Sequence, residues 1–147
     1  MTSAKIFATG LLLAITTSNS WALNLSSSQE SKSLALADSA LECGIYYEYT
    51  AGGLEKNPNV DSETVLAIAK NSATLLHTAD LLYDAAGISM ADRRKEFMHR
   101  AKIMIKERQE SPGSIDELIY EFGEKCKLLM ATYSYRIKNI AGGPNSI

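Results

Sequence analysis

Two histidines, two cysteines and a scatter of tyrosines and arginines are the side chains of this 147-residue chain that could carry chemistry. Glu96-Phe97-Met98-His99 spaces a carboxylate and an imidazole so that both fall on one face of a helix. Helical di-metal centres use two such Glu-x-x-His motifs together with two further glutamates. The other histidine, His77, has Thr74 at the equivalent place, so half of that ligand set is missing. His77 and His99 would stand at the same level of a hairpin turning at Gly87-Ile88-Ser89, with Met90, Met98 or Met104 as soft ligands for haem or copper. Against a shared site, His77 adjoins Leu76 while His99 adjoins Arg100, methionines at helical spacing suit core filling, and there is no Cys-x-x-Cys-His. A metal- or haem-binding bundle built on His77 and His99, with Glu96 in support, is thus an alternative function class, and no cofactor is favoured. No Ser/His/Asp set or phosphate-cradling glycine loop can be assembled, which leans the reading away from an enzyme.

Binding is the better-supported class. Tyr46 and Tyr49 lie off the first apolar stripe, and tyrosine is enriched at binding surfaces; packing against the second helix is the competing explanation. Arg93 and Arg94 head a locally basic helix that an anionic partner could meet, although Asp80 and Asp84 on the preceding helix are placed to balance it. The expected partner is a protein or envelope component.

The elements that must position these groups are helical. Leu36, Ala40, Cys43, Tyr47, Thr50 and Leu54 recur at three- and four-residue steps over 34–54, ahead of Gly52-Gly53 and an Asn57-Pro58-Asn59 loop. A second stripe runs from Val65 through Leu75, Leu76 and Tyr83 to Ala86, opened by Asp61 or Ser62 and closed by Gly87. A third helix over 90–109 starts at a Ser89/Asp92 cap and offers Phe97, Ala101, Met104 and Ile105 to a core. The fourth starts at a Ser114/Glu117 capping box and carries Ile115, Leu118, Ile119, Phe122, Cys126, Leu129, Tyr133, Ile137 and Ile140. The pattern predicts an all-α domain over 34–141, a four-helix up-down-up-down bundle.

In such a bundle the first and last helices are antiparallel neighbours, and the two cysteines sit on their facing stripes. Pairing Cys43 with Cys126 aligns Leu36 with Tyr133, Ala40 with Leu129, Tyr47 with Phe122, Thr50 with Ile119 and Leu54 with Ile115, every member on a stripe. Gly44 and Gly123 beside the cysteines suggest that these helices approach closely. A disulfide joining the first helix to the last is therefore expected.

The N-terminus reads as an export signal over 1–22: Lys5, an uncharged apolar run over 6–16, then Ser20-Trp21-Ala22 with small residues at the minus-three and minus-one positions. That run is too short for the about 20 apolar residues of a bilayer-spanning helix, so no span is expected in the mature form. A polar leader over 23–33 and a tail over 142–147 flank the domain. Export to the periplasm or the medium agrees with a persistent cysteine pair. The formal net charge of −2 gives no pull toward nucleic acid.

Overall fold

A computed structural model describes residues 26–110 and 115–141. The expected signal segment over 1–22, the Ser114 half of the fourth helix's capping box and the tail over 142–147 lie outside the described residues. Four helices follow one another: α1 Ser27–Leu54, α2 Ser62–Ala85, α3 Met90–Glu110 and α4 Ile115–Ala141. The described residues contain no strand.

Local chemistry sets most of the ends. Asp61 accepts from the Thr64 amide at 2.8 Å and starts α2; that bond holds its carboxyl below the usual carboxylate range. Gly87, at φ 74°, is the one described glycine with positive φ. Its amide bonds Asp84 and the next amide, of Ile88, bonds Tyr83, both at 2.9 Å, which satisfies two carbonyls at the end of α2. Ser89 caps α3, accepting from the Asp92 amide at 3.2 Å. Two boundaries differ from expectation. The polar segment expected as a leader is helical from Ser27, because Ser26 and Gln29 form a capping box of their own. Gly52 and Gly53 do not stop α1, which runs on to Leu54.

The described part of α1 is 28 residues, about 42 Å at 1.5 Å per residue. It is the helix on which the others converge. Its fully or nearly fully buried positions include Ala37, Ala40, Leu41, Cys43, Gly44, Ile45, Tyr46 and Ala51, a set spread over most of the helix circumference at 100° per residue. A single stripe could not serve three neighbours. α2 makes the most extensive contact, α4 the next, and α3 a smaller one.

Cys43 and Cys126 are joined, with Cα atoms 5.3 Å apart, and both are fully buried. The bond links α1 to α4 across 83 residues of sequence, a closure the chain-entropy argument values at about 4–5 kcal/mol. The two helices run antiparallel in the register the cysteines predict: Gln29 donates to the Ile140 carbonyl at 3.1 Å, far along the seam from the bridge. On the other side of the bridge the register shifts by one residue. Tyr46, not Tyr47, stacks on Phe122, with ring centroids 6.0 Å apart. The next position on the same side of a 3.6-residue helix lies either three or four residues on; from the bridge α1 takes the three-residue step to Tyr46 and α4 the four-residue step to Phe122. Ile119, expected opposite Thr50, is 44% exposed. Ile105, expected in the core of α3, is also exposed, while Met104, expected there with it, is buried.

The α1–α2 seam is closed by small residues. The buried Ser72 hydroxyl lies 2.9 Å from the Gly44 carbonyl and 3.0 Å from the Glu48 carboxylate. A Cβ on Gly44 would stand 2.6 Å from Leu76 Cδ2 and 3.2 Å from the Leu76 amide nitrogen. Gly44 therefore serves the approach of α2, not the disulfide seam. At Gly123 a Cβ would make only ordinary 3.5 Å contacts with Ile119 and the Tyr46 hydroxyl. Gly44→Ala should lower stability by about 1–3 kcal/mol through overpacking, whereas Gly123→Ala should be neutral or stabilise by up to ~1 kcal/mol through helix propensity. Urea unfolding midpoints of the two variants check this, and equal effects would refute the assignment of Gly44 to the α1–α2 contact.

Candidate functional site

The sequence-selected residues do not assemble into one place. Tyr46 is 5% exposed and lies between α1 and α4, so its ring is core, and burial pushes its phenol up from the ordinary range. The expected tyrosine patch is thereby reduced to Tyr49, which is exposed. Arg93 is not a free cation either. Its guanidinium reaches Asp80 at 3.0 Å and Asp84 at 3.2 Å, and donates to the Asp80 carbonyl at 2.9 Å. It clamps the start of α3 onto the end of α2. The acidic pair that could balance the basic helix thus holds Arg93, while Arg94 remains exposed.

His77 and His99 are both exposed. Glu96 is taken by Arg100 one turn on, at 2.6 Å, so its carboxylate faces a guanidinium instead of joining His99. Among the described residues no group of three or more His, Cys, Asp or Glu side chains is placed to hold a metal ion.

Arg100 belongs to a polar cluster that ties three helices together. Tyr83 of α2 donates to Asp38 Oδ1 of α1 at 2.5 Å, and Arg100 of α3 approaches the same oxygen at 3.2 Å. Burial first, and then the hydrogen bond to the Asp38 carboxylate, push the Tyr83 phenol well above its ordinary value. The cluster is a fastening, because each charge in it has a partner and the tyrosine is held in its neutral form.

Clefts among the described residues include three of note. One of about 200 Å³ lies over α1, α2 and α3 beside Tyr83, Phe97, Arg93 and Arg94; Arg93 is already engaged, and Asp80 lines the space beside Arg94. A second, of about 400 Å³, contains His99, Arg100, Glu42 and Glu96, where both signs of charge compensate. Lys125 pairs with Glu42 at its edge.

The third cleft has a different character. It also encloses about 400 Å³, between the first half of α1 and the last turns of α4, and is lined by Lys32, Leu36, Ser39, Arg136, Asn139 and Ile140, with Ala35. Leu36 and Ile140 form an apolar floor, 4% and 9% exposed. Lys32 and Arg136 bring one cation from each helix, no acidic side chain lines the space, and neither cation has an ion-pair partner among the described residues. The Ser39 hydroxyl donates to the Ala35 carbonyl at 2.9 Å, leaving its lone pairs toward solvent.

Two ties hold the walls of this cleft. The disulfide lies at one end. At the other, Gln29 does two jobs: its side-chain oxygen accepts from the Ser26 amide at 2.9 Å to start α1, and its nitrogen donates to Ile140. Ile140 is one of the last four residues of α4, whose carbonyls lack intrahelical donors. The sequence reading missed Lys32, Arg136 and Gln29. The signal was present, since extending the cysteine register outward sets Lys32 against Ile137, next to Arg136, and Gln29 against Ile140.

Fold and site define a class: an all-α, four-helix domain clasped by one disulfide, with a cationic, apolar-floored cleft beside the clasp. No family model, curated protein sequence or solved structure matches the chain.

The Tyr83 fastening gives a pH signature. Above about pH 10 the unfolded chain releases the Tyr83 proton while the folded chain keeps it, so rising pH favours unfolding. Tyr46 and Tyr47, also raised by burial, act with the same sign. Tyr83→Phe should cost about 1.5 kcal/mol at neutral pH and flatten the fall in stability between about pH 10 and 12. Urea melts across that range check it, and an unchanged slope would show that the phenol is not held as described.

Proposed function

We propose that this chain is an exported, non-catalytic binding module that takes a small anion with an apolar body, such as an acyl carboxylate, in the cleft between α1 and α4. One observation carries the reading: Lys32 and Arg136 converge from two helices on an apolar floor with no acidic side chain in the lining. An anionic head would meet a point charge on one side and a planar, bidentate-capable guanidinium on the other. The tail would cover Leu36 and Ile140, and burying apolar surface contributes roughly 25 cal/mol per Å². The volume, about 400 Å³, falls within the roughly 300–1,000 Å³ of small-molecule sites. Because the chain as a whole is acidic at −2, the cleft reverses the prevailing sign locally.

Export is supported by the segment over 1–22 and by a fully buried disulfide, a bond that persists in oxidising compartments. Among the described residues no helix is long and apolar enough to cross a membrane.

Titration of isotope-labelled protein with decanoate should move the amide resonances of Lys32, Leu36, Arg136 and Ile140, and decanol should move them less at equal concentration. Lys32→Gln combined with Arg136→Gln should weaken decanoate binding by about tenfold or more, since charge-assisted hydrogen bonds contribute about 1.5–3 kcal/mol each. Shifts centred elsewhere, or an affinity indifferent to both substitutions, would refute the cleft as the site.

A further inference from the structure

The side of α4 turned away from α1 is not an ordinary solvated face. Tyr120 is 92% exposed, Leu128 59% and Tyr135 68%; at 100° per residue they fall, with exposed Glu124, within one sector about 80° wide that is centred roughly 140° round the helix from Leu118, Phe122 and Leu129 of the core. No other described helix covers this sector, since α4 makes its substantial contacts with α1 alone. Glu117 and Lys138 lie in the same sector toward its two ends, both exposed. Neither has an ion-pair partner among the described residues.

We infer that this face is the self-association surface of the protein, pairing α4 with α4 of a second copy in antiparallel fashion about a two-fold axis near Leu128. The charges are what select this occupant. When Tyr120 is set opposite Tyr135 of the second copy, the same register sets Glu117 opposite its Lys138, and the two-fold axis repeats both contacts. In the same register Glu124 falls opposite Ala131 of the second copy and meets no like charge, so the tyrosines and the end charges satisfy one register at once. A parallel pairing would place Glu117 on Glu117 and Lys138 on Lys138, and like charges face to face are destabilising. Tyrosines suit such a seam, giving large contact area with few rotors to immobilise. The face lies opposite the α1 side, so pairing leaves the clasp and the cationic cleft untouched. A single helix seam is small by the standards of stable complexes, which makes this a concentration-dependent dimer.

Sedimentation equilibrium of the protein from about 1 μM to 1 mM should show reversible passage from monomer to dimer. Leu128→Glu should raise the dissociation constant by tenfold or more while leaving the helical circular dichroism and thermal midpoint unchanged. Glu117→Lys alone and Lys138→Glu alone should each weaken the dimer, and the two reversals together should restore it. A monomer throughout that range would overturn the inference. So would a dimer indifferent to Leu128→Glu, or a double reversal no better than the single ones.

Discussion

The structure depends on burying α1 from three directions at once. An isolated amphipathic helix has one wet side and one dry side; α1 has neighbours over most of its circumference, and from Leu36 to Tyr47 none of its positions is fully exposed. Gly44, with no Cβ to meet Leu76, lets α2 approach. The disulfide fixes α4 on another side, and the Asp38–Tyr83–Arg100 cluster brings α3 to the remaining one. Each attachment uses a different kind of bond, which is how one helix holds three partners without three apolar stripes.

That division explains what the sequence revealed and what it concealed. Periodicity and capping chemistry are local, so Asp61, Gly87 and Ser89 could be placed on α2 and α3 directly. The cysteine pair was legible because two sulfurs on facing stripes define a register without reference to other contacts. The choice between Tyr46 and Tyr47 was not. It turns on whether the seam takes a three- or a four-residue step from the bridge, since both keep nearly the same side of a 3.6-residue helix. Gly44 was read as a companion of Cys43 because the two are adjacent in sequence, yet adjacent residues on a helix point about 100° apart and serve different neighbours. For Arg93 the sequence offered an anionic partner or balance by Asp80 and Asp84, and those two carboxylates hold it.

The candidate cleft was hidden for a related reason. Lys32 falls in a polar segment without apolar periodicity, and its importance comes from Arg136, far away in sequence. Gln29 supplies the missing link. By capping α1 and gripping the end of α4 with one amide side chain, it converts a helix start into one end of the candidate cleft. The disulfide supplies the other end, so the covalent clasp matters beyond stability: it holds two cations in fixed relation to an apolar floor.

All of this requires α1 and α4 to be covalently joined within one chain. Non-reducing proteolysis with mass mapping of freshly purified protein tests that most directly. The account predicts a single linked species containing Cys43 and Cys126 of the same molecule, released as two peptides on reduction. Free thiols at both positions, or bridges between different molecules, would contradict it.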